Sequence, residues 1–271
     1  MIICLFIFIF GIVWGSFYNV VVYRIPKNLP LVNDRSKCPT CNHTLQALDL
    51  VPVFSWIFLG QKCRYCKEKI SWRYPLFELL TGFVFVGAYF YVTNVLGYNF
   101  NRSNEFLEGI LQIIIYCSFF SMLYLTTIMD FEYMIVSLNV LGVTFAIQLI
   151  GFIVLYYPNL PNLKSHFVGL ILGALIYLVI YLVSKAIYKQ EAFGQGDVYL
   201  LAAIGFVVGR NHVIMIAMMS FFVALILVGI AAVLGKKFEM RKEVPFGPAM
   251  CITTIIIMIW GERILNLLGY H

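Results

Sequence analysis

Seven stretches of about 20 apolar residues recur along this chain of 271, and they constrain its fold more than any other feature. They cover residues 2–22, 75–96, 106–129, 134–157, 165–188, 213–234 and 246–268. About 20 helical residues cross the hydrocarbon core of a bilayer, where every backbone polar group must find its partner within the protein. With 62% hydrophobic and 12% charged residues, the chain has too little polar surface to cover a soluble globule. The expectation is an all-α polytopic membrane protein. Residues 2–22 carry no basic n-region and no A-x-A-like cleavage site, so they read as a retained first span and not as a signal peptide. An eighth apolar run, 198–208, is roughly half the required length. It fits a short tilted helix, a re-entrant piece, or one span bridged through Arg210 into the next.

Loop charge decides between these. If all eight runs cross with the N-terminus outside, the inner loops are 23–74, 130–133, 185–197 and 235–245. They hold 15 of the 19 Lys and Arg, leaving only Arg102, Lys164, Arg210 and Arg263 outside. That asymmetry follows the positive-inside rule, and a non-crossing eighth run would move Lys236, Lys237, Arg241 and Lys242 outside and weaken it. The net charge of +6 thus encodes topology and gives no reason to expect nucleic acid. About eight transmembrane helices with both termini outside is the reading. It divides the chain into a first helix (1–22), a loop facing the cytosol (23–74) and a membrane core (75–271).

That topology places two acids on the inner side. Asp130 ends the third span, and Asp197 opens the sixth behind a two-glycine turn, Gly194-Gln-Gly-Asp197. A carboxylate at the mouth of a membrane segment is costly, so function is its default explanation. The glycines remove bulk and permit positive φ, letting another part of the chain approach the acid. Two facing carboxylates can share one proton, one serving as base toward water and the other polarising a carbonyl, as aspartyl peptide hydrolysis requires. The plainer alternatives are a helix-capping Asp197 and an interfacial Asp130. A transporter or channel using both acids as an ion relay is the other functional class, although such acids commonly lie near the midplane. Glu132 lies two residues from Asp130 on another helix face and reads as interfacial.

The loop 23–74 carries Cys38-Pro-Thr-Cys41 and Cys63-Arg-Tyr-Cys66, two C-x2-C knuckles. Two such turns complete a tetrahedral Cys4 site for structural Zn²⁺ with no open position. A pair of disulfides is the alternative, disfavoured in a reducing cytosol. His43 is a spare ligand or a solvated loop residue. Cys4, Cys117 and Cys251 fall within spans and read as packing residues.

Several blocks spread over nearly the full length resemble one family. They are Gly15-Ser-Phe-Tyr-Asn-Val-Val-Val-Tyr-Arg-Ile-Pro26, the paired C-x2-C loop, and Trp72-Arg-Tyr-Pro-Leu-Phe-Glu-Leu-Leu-Thr-Gly82. Asp130, Gly194-Gln-Gly-Asp-Val-Tyr-Leu-Leu-Ala-Ala-Ile-Gly205 and Val244-Pro-Phe-Gly-Pro248 complete the set. Together they resemble the bacterial type IV prepilin peptidases, GxGD-type aspartyl proteases that are often also N-methyltransferases. The resemblance implies Asp130 and Asp197 as the catalytic pair and Cys38, Cys41, Cys63 and Cys66 as zinc ligands. It implies cleavage of prepilins or pseudopilins after the Gly of a short basic leader, at the cytoplasmic face of the bacterial inner membrane. It further implies methylation of the new N-terminus with S-adenosylmethionine.

No Gly-rich nucleotide loop is present to mark the S-adenosylmethionine site. Glu78, just inside the second span, could bind the substrate amine or the cofactor, or could pair with Arg73 or Arg24. Asn19 and Arg24 match the first block, and packing against the loop explains them equally well. Pro245-Phe-Gly-Pro248 could line the site or start the last helix. The family usually follows its first Asp with a run ending Ile-Pro. Here Asp130 leads into Phe-Glu-Tyr-Met-Ile-Val-Ser137, which is expected to shift where the fourth span begins. Phospholipid headgroups are the expected partner of the substrate's basic leader.

Overall fold

The computed structural model describes residues 2–32, 35–100, 102–157, 160–188, 194–233 and 245–267. Residues 189–193 of the expected inner loop 185–197 and residues 235–244 of the loop 235–245 lie outside these residues, as do Leu234 and Leu268. Among the described residues the regular structure is helical, with only two isolated bridges, Lys37 with Thr44 and Lys62 with Lys69. Six helices among the described residues are long and apolar enough to span a membrane: Ile2–Lys27, Arg73–Val95, Glu105–Tyr133, Leu138–Tyr156, Leu163–Ile187 and Gln195–Val233. The apolar helix Gly247–Gly261 is shorter. The chain forms two compact units, Met1–Asn99 and Phe100–His271.

In the first unit, α1 (Ile2–Arg24) packs along α3 (Arg73–Phe90), whose last turn loosens into a π-helical turn, Tyr91–Val95. The contact runs through Gly11 and Gly15, a G-x-x-x-G pair. A methyl group on Gly11 would lie 2.8 Å from Gly82 Cα, and one on Gly15 would lie 2.7 Å from Glu78 Cα. Only glycine lets two helix backbones come this close, as is common where lipid offers no hydrophobic drive to associate. Between these helices the loop carries one short α-helix, α2 (Phe54–Phe58), and two single 3-10 turns, Ile25–Lys27 and Ala47–Asp49. Arg24 is buried, its Nη1 donating to Pro30 O at 2.8 Å and its Nη2 to Arg35 O at 3.4 Å. Asn19 donates to Tyr74 O at 3.3 Å. Both residues therefore pack the loop against the helix ends, the second of the two explanations open to them.

The second unit holds α4 (Ser103–Tyr133), α5 (Leu138–Tyr156), α6 (Leu160–Tyr188), α7 (Gln195–Val233) and α8 (Gly247–Leu267). Two expected boundaries are corrected. Residues 130–133 are not a loop: α4 continues through Tyr133 and stops at Met134, in the left-handed region (φ 55°). The next helix starts four residues later than residue 134, at Leu138, where Ser137 Oγ accepts the Val140 N–H at 3.4 Å. With no proline to mark the first turn, this serine cap sets the start.

The run 198–208 is also resolved. It belongs to α7, which is interrupted at Gly209 (φ 77°, ψ 179°), a conformation essentially confined to glycine. A methyl group on Gly205 would lie 2.9 Å from Val213 Cγ2, yet eight residues of straight helix span about 12 Å. The chain turns back on itself there, so residues 198–208 are not bridged straight through Arg210. α6 holds both limbs. A methyl on Gly173 would meet Leu201 O at 2.5 Å and Val213 Cγ2 at 3.2 Å, and one on Gly169 would meet the Gly205 carbonyl and Gly209 Cα. Gly169 thus faces the G-x-x-x-G pair Gly205/Gly209, while Gly173 admits Leu201 of the first limb and Val213 of the second. The last carbonyls of the first limb have no helical partner beyond the break. His166 Nδ1 covers one of them, Phe206 O, at 2.7 Å, and its ring stacks on Phe152 at 4.2 Å.

Candidate active site and metal centre

The second unit gathers the end of α4, the start of α7 and the start of α8 around two carboxylates. Asp130 lies in the last turn of α4 and Asp197 in the first turn of α7, and both are buried. They are near enough that the charge of Asp130 acts on Asp197.

The glycines of Gly194-Gln-Gly-Asp197 have separate tasks. A methyl on Gly196 would lie 2.6 Å from Val136 Cβ, so this glycine admits the turn between α4 and α5 against the start of α7. Gly196 is helical, so its role is absent bulk and not positive φ. A methyl on Gly194 would sit 3.2 Å from Asp197 Oδ2, and the Asp197 carboxylate accepts the Gly194 N–H. That is one half of a capping box, so Asp197 caps its helix while presenting a carboxylate.

Asp130 is fixed differently. Its Oδ2 accepts the Gly247 N–H at 2.8 Å, and a methyl on Gly247 would fall 2.8 Å from that same oxygen. Gly247 is the first residue of α8, so both carboxylates lie at helix N-termini, where orphan N–H groups and the dipole favour anions. The Pro245-Phe-Gly-Pro248 segment therefore does both things open to it: it starts α8 and it holds an acid. Phe246 packs on Tyr177, whose hydroxyl donates to Ala217 O at 3.1 Å. Glu132 is exposed on the α4 surface.

In the first unit the four knuckle sulfurs lie within 4.8 Å of one another, and all four thiols are unoxidised. The two knuckles repeat one geometry. Asn42 and Lys67, each four residues after the first cysteine, adopt positive φ and donate back to the Cys38 and Cys63 carbonyls. The Cys38–Cys66 sulfur separation is 3.9 Å, close to the roughly 3.8 Å edge of a tetrahedron with 2.3 Å Zn–S bonds. Thiol chemistry fits a cation as well. Burial opposes ionisation of Cys38, but the Cys41 and Thr40 N–H groups bring it down to about 7. At Cys66 the Glu68 N–H works downward, yet burial and the other three thiols push it up to about 12. Sulfurs this crowded ionise together only around a cation, and the donor set can hold a metal.

Asp49 was not legible as part of this centre. It accepts from Arg64 Nε at 2.6 Å, Tyr65 Oη at 3.1 Å and Gln46 N at 3.0 Å, which anchors both middle residues of the second knuckle. His43 stacks on Tyr65 at 3.6 Å and stays outside the sulfur cluster. Glu78 is buried in α3, where its Oε2 accepts the Val53 N–H at 2.7 Å and its carboxylate takes the Ser16 hydroxyl. These contacts tie the loop to α1 and α3.

Known proteins share this arrangement of sequence. Residues 9–92 match the Bacterial Peptidase A24 N-terminal domain, and residues 117–230 match the Type IV leader peptidase family. The chain is 33% identical over 262 residues to the prepilin leader peptidase/N-methyltransferase of Bacillus subtilis, covering 96% of this chain and 95% of the relative. The chain belongs to this family. The enzymes of the same name from Aeromonas salmonicida and Myxococcus xanthus are 30% and 28% identical. The matches cover 95% and 92% of this chain, and 91% and 70% of those relatives, respectively. No solved structure matches the chain. As a member of the prepilin leader peptidase/N-methyltransferase family it is a multi-pass membrane enzyme. Both carboxylates fall within the stretch matched by the leader peptidase model, and all four knuckle cysteines within the N-terminal match.

Proposed function

We propose that this enzyme removes the basic leader of type IV prepilins or pseudopilins after its Gly, with Asp130 and Asp197 as the catalytic pair. One observation carries the assignment: two buried carboxylates come from separate helices, each held by a backbone N–H at a helix start, with Asp130 near enough to act on the charge of Asp197. Such a pair holds one proton between its members. The ionised member takes a proton from water, whose oxygen attacks the scissile carbonyl carbon as the protonated member gives its proton to the carbonyl oxygen. The tetrahedral intermediate then collapses, the C–N bond breaks, and the leaving amine takes a proton from the pair. The N–H of Gly247 and that of Gly194 orient the two carboxylates for these transfers.

The released amine is the substrate of a second step, in which a methyl group passes from the sulfonium of S-adenosylmethionine to that nitrogen. Zn²⁺ held by Cys38, Cys41, Cys63 and Cys66 would supply structure to the loop and no catalytic position, because all four ligands come from protein. Glu78 is assigned to holding that loop, and no residue is assigned to the methyl donor. In this reading the two limbs of α7 cross separately, the chain crosses eight times, and the carboxylates belong to the cytoplasmic face of the bacterial inner membrane, beside lipid headgroups that attract the basic leader. Both acids lie at helix ends and not at mid-span, which favours proteolysis over an ion relay.

The test is incubation of the purified enzyme with a prepilin and S-adenosylmethionine, read by intact mass. Loss of the leader after Gly, with one added methyl group on the product, is expected. Acid-dependent ion flux in proteoliposomes without any cleavage would restore the transporter reading.

A further inference from the structure

The loop between α1 and α3 does not stand wholly clear of the membrane. Glu78 lies five residues inside α3, and its carboxylate bonds Ser16, eight residues before the end of α1, and the N–H of Val53. Eight helical residues rise about 12 Å. The chain entering α2 is therefore anchored about two turns inside the end of a membrane span. Val53 takes positive φ (62°) at that anchor, costly for a β-branched residue, so the bond holds the backbone against its local preference.

The segment just beyond this anchor is apolar and exposed. In α2, Phe54 and Phe58 stack on one side with ring centroids 6.4 Å apart, and Ile57 shares their face. Their exposures are 58%, 82% and 57%. Trp72, 67% exposed at the entry to α3, adds an indole of the kind that favours the headgroup level. The opposite side of α2 is the inward one, where Trp56 Nε1 donates to Ile70 O at 3.1 Å. The loop 23–74 carries nine Lys and Arg against three acids, which suits an anionic leaflet.

We propose that α2 is an interfacial anchor, with Phe54, Ile57, Phe58 and Trp72 lying in the headgroup–acyl boundary of the leaflet that α1 and α3 enter. The occupant of this apolar face is the bilayer itself. The depth of the Glu78 bond argues for it, since an apolar face held at that level meets lipid before it meets a soluble partner. The zinc knuckles then stand on the membrane at fixed height, carried by α2 on one side and the two span ends on the other.

The experiment uses the full-length, zinc-loaded protein in nanodiscs of phosphatidylglycerol and phosphatidylethanolamine. A photoreactive benzoylphenylalanine replaces Phe58 in one variant and the exposed knuckle residue Glu68 in another. After irradiation, intact mass should show a phospholipid adduct at position 58 and none at position 68. A Glu78→Gln variant carrying the probe at 58 should lose most of that adduct while keeping zinc. An adduct to another part of the chain, to a second copy or to added prepilin at position 58 would overturn the proposal. So would equal lipid yields at both positions.

Discussion

Gly247→Ala separates the site from the fold more cleanly than any change to an acid. The new methyl would lie 2.8 Å from Asp130 Oδ2 and 3.4 Å from its Cγ, so the carboxylate must move and the 2.8 Å bond from the Gly247 N–H is lost. A hydrogen bond to a charged group contributes about 1.5–3 kcal/mol. At about 1.4 kcal/mol per decade of rate, displacement of the acid should cost roughly 10- to 100-fold in kcat. KM should stay near that of the wild type, because the substrate's apolar helix does not depend on this contact. The fold should not suffer. Gly247 lies at the start of a helix and outside the positive-φ set, where alanine is as good or better by about 0.4–1 kcal/mol. The assay is leader cleavage in nanodiscs with substrate saturating, alongside thermal unfolding and zinc content. Cleavage at the wild-type rate would refute the reasoning, and so would a rate loss matched by loss of Tm.

Gly169→Ala should lower Tm markedly, since its methyl has only the Gly205 carbonyl and Gly209 backbone to move against; overpacking of this kind costs about 1–3 kcal/mol or more, and differential scanning fluorimetry in detergent reads it. Cys63→Ser should remove the bound zinc, measured as metal per chain, and should abolish methyl transfer to a pre-cleaved pilin through loss of the ordered loop. Asp49→Asn tests the buttress on the second knuckle. Burial opposes the charge of Asp49, but the Gln46 N–H, Arg64 and Tyr65 outweigh it and hold the carboxyl below its usual range. A group depressed in the folded state stabilises above its unfolded pKa of about 3.9 and loses that contribution as pH falls through the folded value. Wild type should therefore be more stable than the Asn variant near neutrality, and the gap should close as pH drops below about 4. A gap constant down to pH 3 would contradict it.

Much of this was legible because lipid allows so few solutions. Apolar runs of about 20 residues gave spans, and a pair of C-x2-C turns gave a four-sulfur site. The glycines before Asp197 signalled a close approach. The features that escaped depend on contacts distant in sequence. Nothing local in Gly205-Phe-Val-Val-Gly209 distinguishes a reversal from a continuing helix, and only the facing pair Gly169/Gly173, with His166 to cover a carbonyl, makes it stable. Gly247 looked like a helix start because its partner, Asp130, is 117 residues away. The run Phe131-Glu-Tyr133 reads as loop by polarity, yet it completes α4 before Met134 stops the helix. Asp49 carried no motif at all, and its role appears only when Arg64 and Tyr65 are seen to converge on it.

The central claim is that Asp130 and Asp197 act as one catalytic pair. Its most direct test is single-turnover cleavage of a prepilin by wild type, Asp130→Asn and Asp197→Asn, each in nanodiscs with S-adenosylmethionine present and read by intact mass. The account predicts leader loss with wild type alone, with both variants retaining zinc and methylating a pre-cleaved pilin. Normal cleavage by either variant would contradict it.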